Sequence, residues 1–144
     1  MFLIESLRYV CIFCTKGYKP LFKNEELKEK MREIIKNYFD QMEKKDYEVK
    51  LISVSINTKH IEITFEAKSQ INLANYDEKS PMYLTKFISN LKSVSSRKFL
   101  QYLKSIKSDI SGIWTKNYLL ATQEYQLDQE IESFRQAQEY KSIL

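Results

Sequence analysis

Two β-branched runs, Tyr47 to Ile56 and His60 to Ala67, stand on either side of Asn57-Thr58-Lys59, and that spacing predicts a β-hairpin. In the second run the residues sort cleanly. Ile61, Ile63, Phe65 and Ala67 alternate with His60, Glu62, Thr64 and Glu66. Consecutive side chains of a strand leave opposite faces, so one face must rest on a core while the other stays polar. His60, the one histidine of the chain, therefore shares a polar face with Glu62.

The other segments supply what such a hairpin needs to pair with and pack against. Leu7 to Cys14 reads as a strand, and Lys16-Gly17-Tyr18-Lys19-Pro20 turns the chain. Asn24 offers an N-cap oxygen to a helix from Glu25 to about Lys44, whose Leu27, Met31, Ile34, Ile35, Tyr38 and Met42 recur at helical spacing. Glu25 and Glu26 suit the positive end of its dipole. Ser80-Pro81 predicts a helix start, with Leu84, Phe87, Ile88 and Leu91 as its apolar stripe. A second short helix is expected over the serine-rich stretch that follows, with Leu103 and Ile106 on its buried side. A last strand is expected from about Ile113 to Thr122. Asp128 can cap a terminal helix at about 128–143, carrying Leu127, Ile131, Phe134 and Ala137.

The order strand, helix, strand, strand, helices, strand, helix is that of an α+β fold of the split βαβ type, ferredoxin-like or RRM-like. It implies an antiparallel sheet with helices on one face and an extra C-terminal helix, in a single domain over 1–144. A chain of 144 residues with 43% hydrophobic side chains and only two glycines and two prolines fits one ordered domain. The net charge of +4 leans weakly toward polyanionic partners. Cys11 and Cys14, three apart in a strand, point to opposite faces, so free thiols in a reducing cytoplasm are expected rather than a disulfide. No apolar stretch approaches about 18 residues, so no membrane partner is expected.

Four segments, in order, resemble the single-tyrosine HUH transposases, enzymes of small insertion sequences that move as single-stranded DNA. They are Cys14 to Phe22, the triplet His60-Ile61-Glu62, Leu91 to Lys98 with its Ser95-Ser96-Arg97, and Ile113 to Thr122 with its Trp114 and Tyr118. The resemblance covers most of the chain and implies the split βαβ fold, a homodimer, and binding of single-stranded or hairpin DNA. It also implies a divalent ion, Mg²⁺ or Mn²⁺, held by two histidines and a glutamine, and a tyrosine that forms a 5′-phosphotyrosine intermediate.

Carried over residue by residue, His60 matches the first histidine, Glu62 replaces the second, and Gln138 matches the glutamine. The nucleophile's place, one helical turn before Gln138, is held by Phe134. A phenyl ring has no nucleophilic oxygen. Tyr140 lies about 240° from Phe134 around a helix and Tyr125 precedes the helix, which leaves both as distant substitutes. For DNA contact the resemblance points to Lys16, Lys19 and Lys59, to Lys92, Ser95, Ser96, Arg97 and Lys98, and to Lys116 and Tyr118. Lys104 and Lys107 fall in the same segments, and Tyr18, Tyr76 and Tyr83 are further candidates for stacking on bases. The expectation is a transposase-like DNA-binding protein, dimeric, with catalysis impaired or lost. The alternatives are an active metal-dependent transposase or nickase and a non-catalytic dimerisation or partner-binding domain.

Overall fold

A computed structural model describes residues 7–67, 70–71, 82–105, 112–122 and 132–139. Strand β1 (Leu7–Thr15) leads through a short 3₁₀ turn (Lys16–Tyr18) into helix α1 (Glu25–Lys44). The hairpin follows as β2 (Val49–Ile56) and β3 (His60–Ala67), and a two-stranded ribbon as β4 (Gln70–Ile71) and β5 (Met82–Tyr83). Helix α2 (Leu84–Ser105), strand β6 (Trp114–Thr122) and a helix at 132–139, here α3, complete the order.

The main sheet has the order β2-β3-β1-β6. Both β3 and β6 run antiparallel to β1, and β2 runs antiparallel to β3. β1 and β2 are thus parallel with β3 between them, the split βαβ arrangement expected. The hairpin closes where the Asn57 N–H donates to the His60 carbonyl at 2.8 Å. α1 begins where expected, because the Leu27 N–H donates to Asn24 Oδ1 at 2.9 Å.

α1 and α2 cover one face. Phe65 on β3 packs between Phe39 of α1 and Phe87 of α2 with tilted rings, centroids 5.7 and 5.8 Å away. Phe13, Phe22, Phe99 and Trp114 form a second aromatic group at the other end of the same core. The alternation within β1 divides its residues: Cys11 and Phe13 join this core, while Val10, Ile12 and Cys14 pack on the opposite face. The two cysteines are free, buried and on opposite faces.

Two expectations are corrected. The pair of helices predicted behind Ser80-Pro81 is one helix of 22 residues. Its serines cost little in helical interior, and neither glycine nor proline interrupts Leu84 to Ser105. Nor does the helix start at Ser80-Pro81: Met82–Tyr83 pair with Gln70–Ile71, a ribbon not anticipated because two-residue strands carry no periodic signal, and α2 begins at Leu84. Ser80, Pro81, Ile106, Leu127, Asp128 and Ile131 lie outside the described residues, as do Tyr76, Lys107, Tyr125 and Tyr140. Among the described residues no helix is long and apolar enough to cross a membrane.

Candidate functional site

Opposite the two-helix core, the strand register sets Cys14 beside His60, Ile12 beside Glu62 and Val10 beside Thr64. A polar row on β3 thus adjoins an apolar row on β1. α3 covers the apolar row with Phe134, and Leu119 and Tyr18 complete that cluster. Phe134 therefore lies on the sheet face that carries His60 and Glu62, and Gln138, one turn further along α3, is buried.

His60 is only 5% exposed. Its Nε2 lies 3.4 Å from Glu62 Oε1 and 3.0 Å from the side-chain nitrogen of Asn57. One ring nitrogen cannot donate to the carboxylate and accept from an amide at once, so its lone pair or its proton is committed within the protein. The hydrogen bond to His60 holds the Glu62 carboxyl below the usual carboxylate range; burial opposes this, and the charge of Arg135 reinforces it.

Arg135 is the group that sequence reasoning missed. Its charge acts on both Glu62 and Cys14, and it follows Phe134, which packs on Cys14, in the same helix. Burial works against its charge, but a hydrogen bond with Tyr18 and the carboxylates of Glu132 and Glu62 raise its pKa. Its Nη2 lies 3.5 Å from Glu132 Oε2, while its Nε is enclosed without a hydrogen-bond partner among the described residues. The signal was available: Arg135 lies three residues before Gln138, about 60° around the helix.

Tyr18 reaches this face through an unusual turn. Gly17 at φ 66° and Tyr18 at φ 52° are both left-handed, natural for glycine and costly, by about 1 kcal/mol or more, for a bulky side chain. The turn is tied down by its neighbours. The Thr15 hydroxyl donates to the Lys19 carbonyl at 2.6 Å, and the Thr15 N–H donates to the Lys59 carbonyl at 2.8 Å. Lys59 in turn places its Nζ 4.9 Å from the centre of the Tyr18 ring.

The donor set does not suit the divalent ion that the resemblance implies. His60 Nε2 is engaged by Glu62 and Asn57, and a guanidinium already bears on the Glu62 carboxylate. Among the described residues no group of three His, Cys, Asp or Glu side chains could hold a metal. Gln138 adds a neutral amide, which cannot offset the nearby cation.

The remaining expected DNA contacts are divided among several surfaces. Lys92, Ser96 and Arg97 line a cavity of about 540 Å³ between α2 and the start of β6, together with Lys104 and Trp114. Lys16 and Lys19 line an adjoining cavity of about 810 Å³, and both cavities share Gly112 and Ile113. Ser95 is buried. It receives the Trp114 indole N–H at 2.9 Å and donates to the Lys92 carbonyl, so its hydroxyl is used within the fold. Lys92 Nζ donates to the Lys116 carbonyl at 2.5 Å, and Lys116 itself is exposed. Lys98 faces a third cavity, between α1 and α2, away from Arg97. Tyr118 packs edge-on to Phe13 on the helix-covered face, at 6.1 Å. The cations thus gather mainly at the β6 edge, and of the expected contacts Lys59 and Tyr18 border the His60 face.

Fold and site together define a split βαβ protein whose open sheet face carries a histidine–carboxylate pair under a terminal helix, the architecture of the HUH transposases. A family model described as IS200-like transposase matches residues 3–138, and the chain belongs to that family. A crystal structure from Deinococcus radiodurans R1, provisionally assigned as a transposase, is similar at a TM-score of 0.73 and 15% identity. That alignment covers 96% of this chain and 95% of the other, and it shows a shared fold. A REP-associated tyrosine transposase bound to a REP hairpin aligns over 92% of this chain and 65% of its own, at a TM-score of 0.48 and 9% identity, too low to carry an argument. Among curated proteins, none matches significantly.

Proposed function

We propose that the protein binds hairpin or single-stranded DNA as a homodimer in the cytoplasm, with the family's strand-cleavage chemistry impaired or lost. One observation carries the reading. Phe134, at the place where the family resemblance puts the nucleophile, packs on Val10, Ile12 and Cys14 in an apolar cluster beside the His60–Glu62 pair. Losing a nucleophile removes on the order of 10⁴ to 10⁶ in rate, and the Phe134 ring offers no oxygen in its place. The basic cavities at the β6 edge support retained DNA binding, since lysine and arginine there can neutralise phosphates.

The test combines binding and cleavage. The protein is titrated with labelled hairpin and single-stranded oligonucleotides, and incubated with them in Mg²⁺ or Mn²⁺ before denaturing gels. Salt-sensitive binding without a protein–DNA adduct is expected, with a dimer mass by light scattering. An adduct mapped by mass spectrometry to Tyr125 or Tyr140 would overturn the inactive reading in favour of a working nickase. No binding even at low salt would leave the dimerisation or partner-binding domain.

A further inference from the structure

The open face of the sheet holds a pair of cations of which only Lys59 was among the candidate DNA contacts; Arg135 was not. Arg135 and Lys59 stand on either side of Tyr18, the ammonium over the ring and the guanidinium at the hydroxyl. The Arg135 side chain is 33% exposed, open enough to meet a ligand and buried enough to hold its direction. Its exposed contact, Glu132, is 53% exposed and 3.5 Å away, a pair that water weakens. Its Nε is enclosed and has no hydrogen-bond partner among the described residues, so a ligand meets the guanidinium through its terminal nitrogens. A guanidinium offers its N–H groups as a planar fork, which two oxygens of a phosphodiester match. Glu62, on the sheet beneath, helps keep the guanidinium over this face rather than in solvent.

We propose that Arg135, with Lys59 across Tyr18, forms a metal-independent binding site for a DNA phosphodiester on the His60–Glu62 face. This rests on the reading of the protein as a DNA binder. The strained Gly17–Tyr18 turn acquires a purpose in this arrangement, because it brings the phenol between the two cations. Glu62 is an electrostatic competitor of the bound phosphate here, and its removal has the opposite sign from the removal of a metal ligand.

The experiment is a fluorescence anisotropy titration of the full chain with a labelled single-stranded oligonucleotide and a labelled hairpin, in EDTA, over a series of NaCl concentrations. Wild type is expected to bind without metal. Arg135→Ala should weaken binding about tenfold or more and lower the salt slope by about one. Lys59→Ala should lower the slope similarly with a smaller loss, and Glu62→Gln should tighten binding several-fold in EDTA. Arg135→Lys, which keeps the charge and loses the fork, should fall between wild type and Arg135→Ala, and it decides the matter if the alanine variant does not fold. Wild-type affinity in both Arg135 variants would overturn this site and leave the DNA-binding reading intact. Binding that requires Mn²⁺ and is weakened by Glu62→Gln would overturn it in favour of a metal. No binding of either oligonucleotide under any condition would overturn both.

Discussion

The two faces of one sheet are made from alternate residues of the same strands, yet they are finished differently. The face under α1 and α2 is closed by rings: Phe65, Phe39, Phe87 and Tyr38 at one end, Phe13, Phe22, Phe99 and Trp114 at the other. The opposite face has a short apolar row under Phe134 and, beside it, the histidine, carboxylate, guanidinium and phenol described above. One face therefore fixes the fold by burial, and the other can exchange its polar groups at modest cost to stability. On the proposed reading, this is how a chain can keep the family's scaffold while Glu62 and Phe134 stand at positions of its chemistry.

The strongest way to break the comparison is to empty each face in turn. Phe87→Ala should cost about 3–5 kcal/mol, because the ring is fully buried among Tyr38, Phe39 and Phe65 and the site cannot collapse around the gap. Urea denaturation measures it, and a loss below about 2 kcal/mol would mean that the aromatic face is not what holds the fold.

The next effect reads both faces at once through β1. Burial pushes the Cys14 thiol up to about 12, with Arg135 opposing, and raises Cys11 further still. Both folded values exceed the unfolded one, so their contribution is fully present below about pH 9. It is lost as pH rises past that point, because the unfolded chain releases protons that the folded chain retains. Stability should fall by about 3 kcal/mol between pH 8 and pH 10, and Cys14→Ala should remove about half of that slope. Neither thiol should react with a disulfide reagent at pH 8 while the protein is folded. Rapid labelling of Cys14 alone would show that α3 does not seal its face.

How much of this the residues announced differs between the faces too. The hairpin bounds, the alternation in His60 to Ala67 and the start of α1 at Asn24 were readable, because each depends on neighbours in sequence. The continuity of α2 was not, since Ser93, Ser95 and Ser96 serve equally as caps or as helix interior. What decides is tertiary: Ser95 is buried against Trp114, nineteen residues away. His60, Glu62 and Phe134 were singled out by the family resemblance; strand register puts His60 and Glu62 on one face, and the helix at 132–139 brings Phe134 to it. Arg135 was passed over because its meaning lies in Glu62 and Tyr18, residues far off in sequence that only the docking of α3 brings to it.

A smaller loss is expected from Phe134→Ala, about 1–2 kcal/mol. The ring is half-buried, its neighbours Val10, Ile12 and Leu119 stay covered in part, and alanine favours the helix. Measured beside Phe87→Ala, the ratio of the two losses gives the relative weight of the faces. Near-equal losses would make α3 part of the folding core rather than a cover.

The least effect is expected at the rim of the open face, where Arg8 and Glu66 are directly paired across β1 and β3 with Nη2 and Oε1 2.9 Å apart. Their side chains are 47% and 35% exposed, so water screens most of the attraction despite the good distance. Arg8→Ala should change stability by less than about 1 kcal/mol, and about 0.5 M NaCl should remove most of the difference. A larger, salt-resistant loss would place this pair in a desolvated network. The open face would then hold the fold through its charges, and substitution at Glu62 or Arg135 would report on folding before it reported on binding.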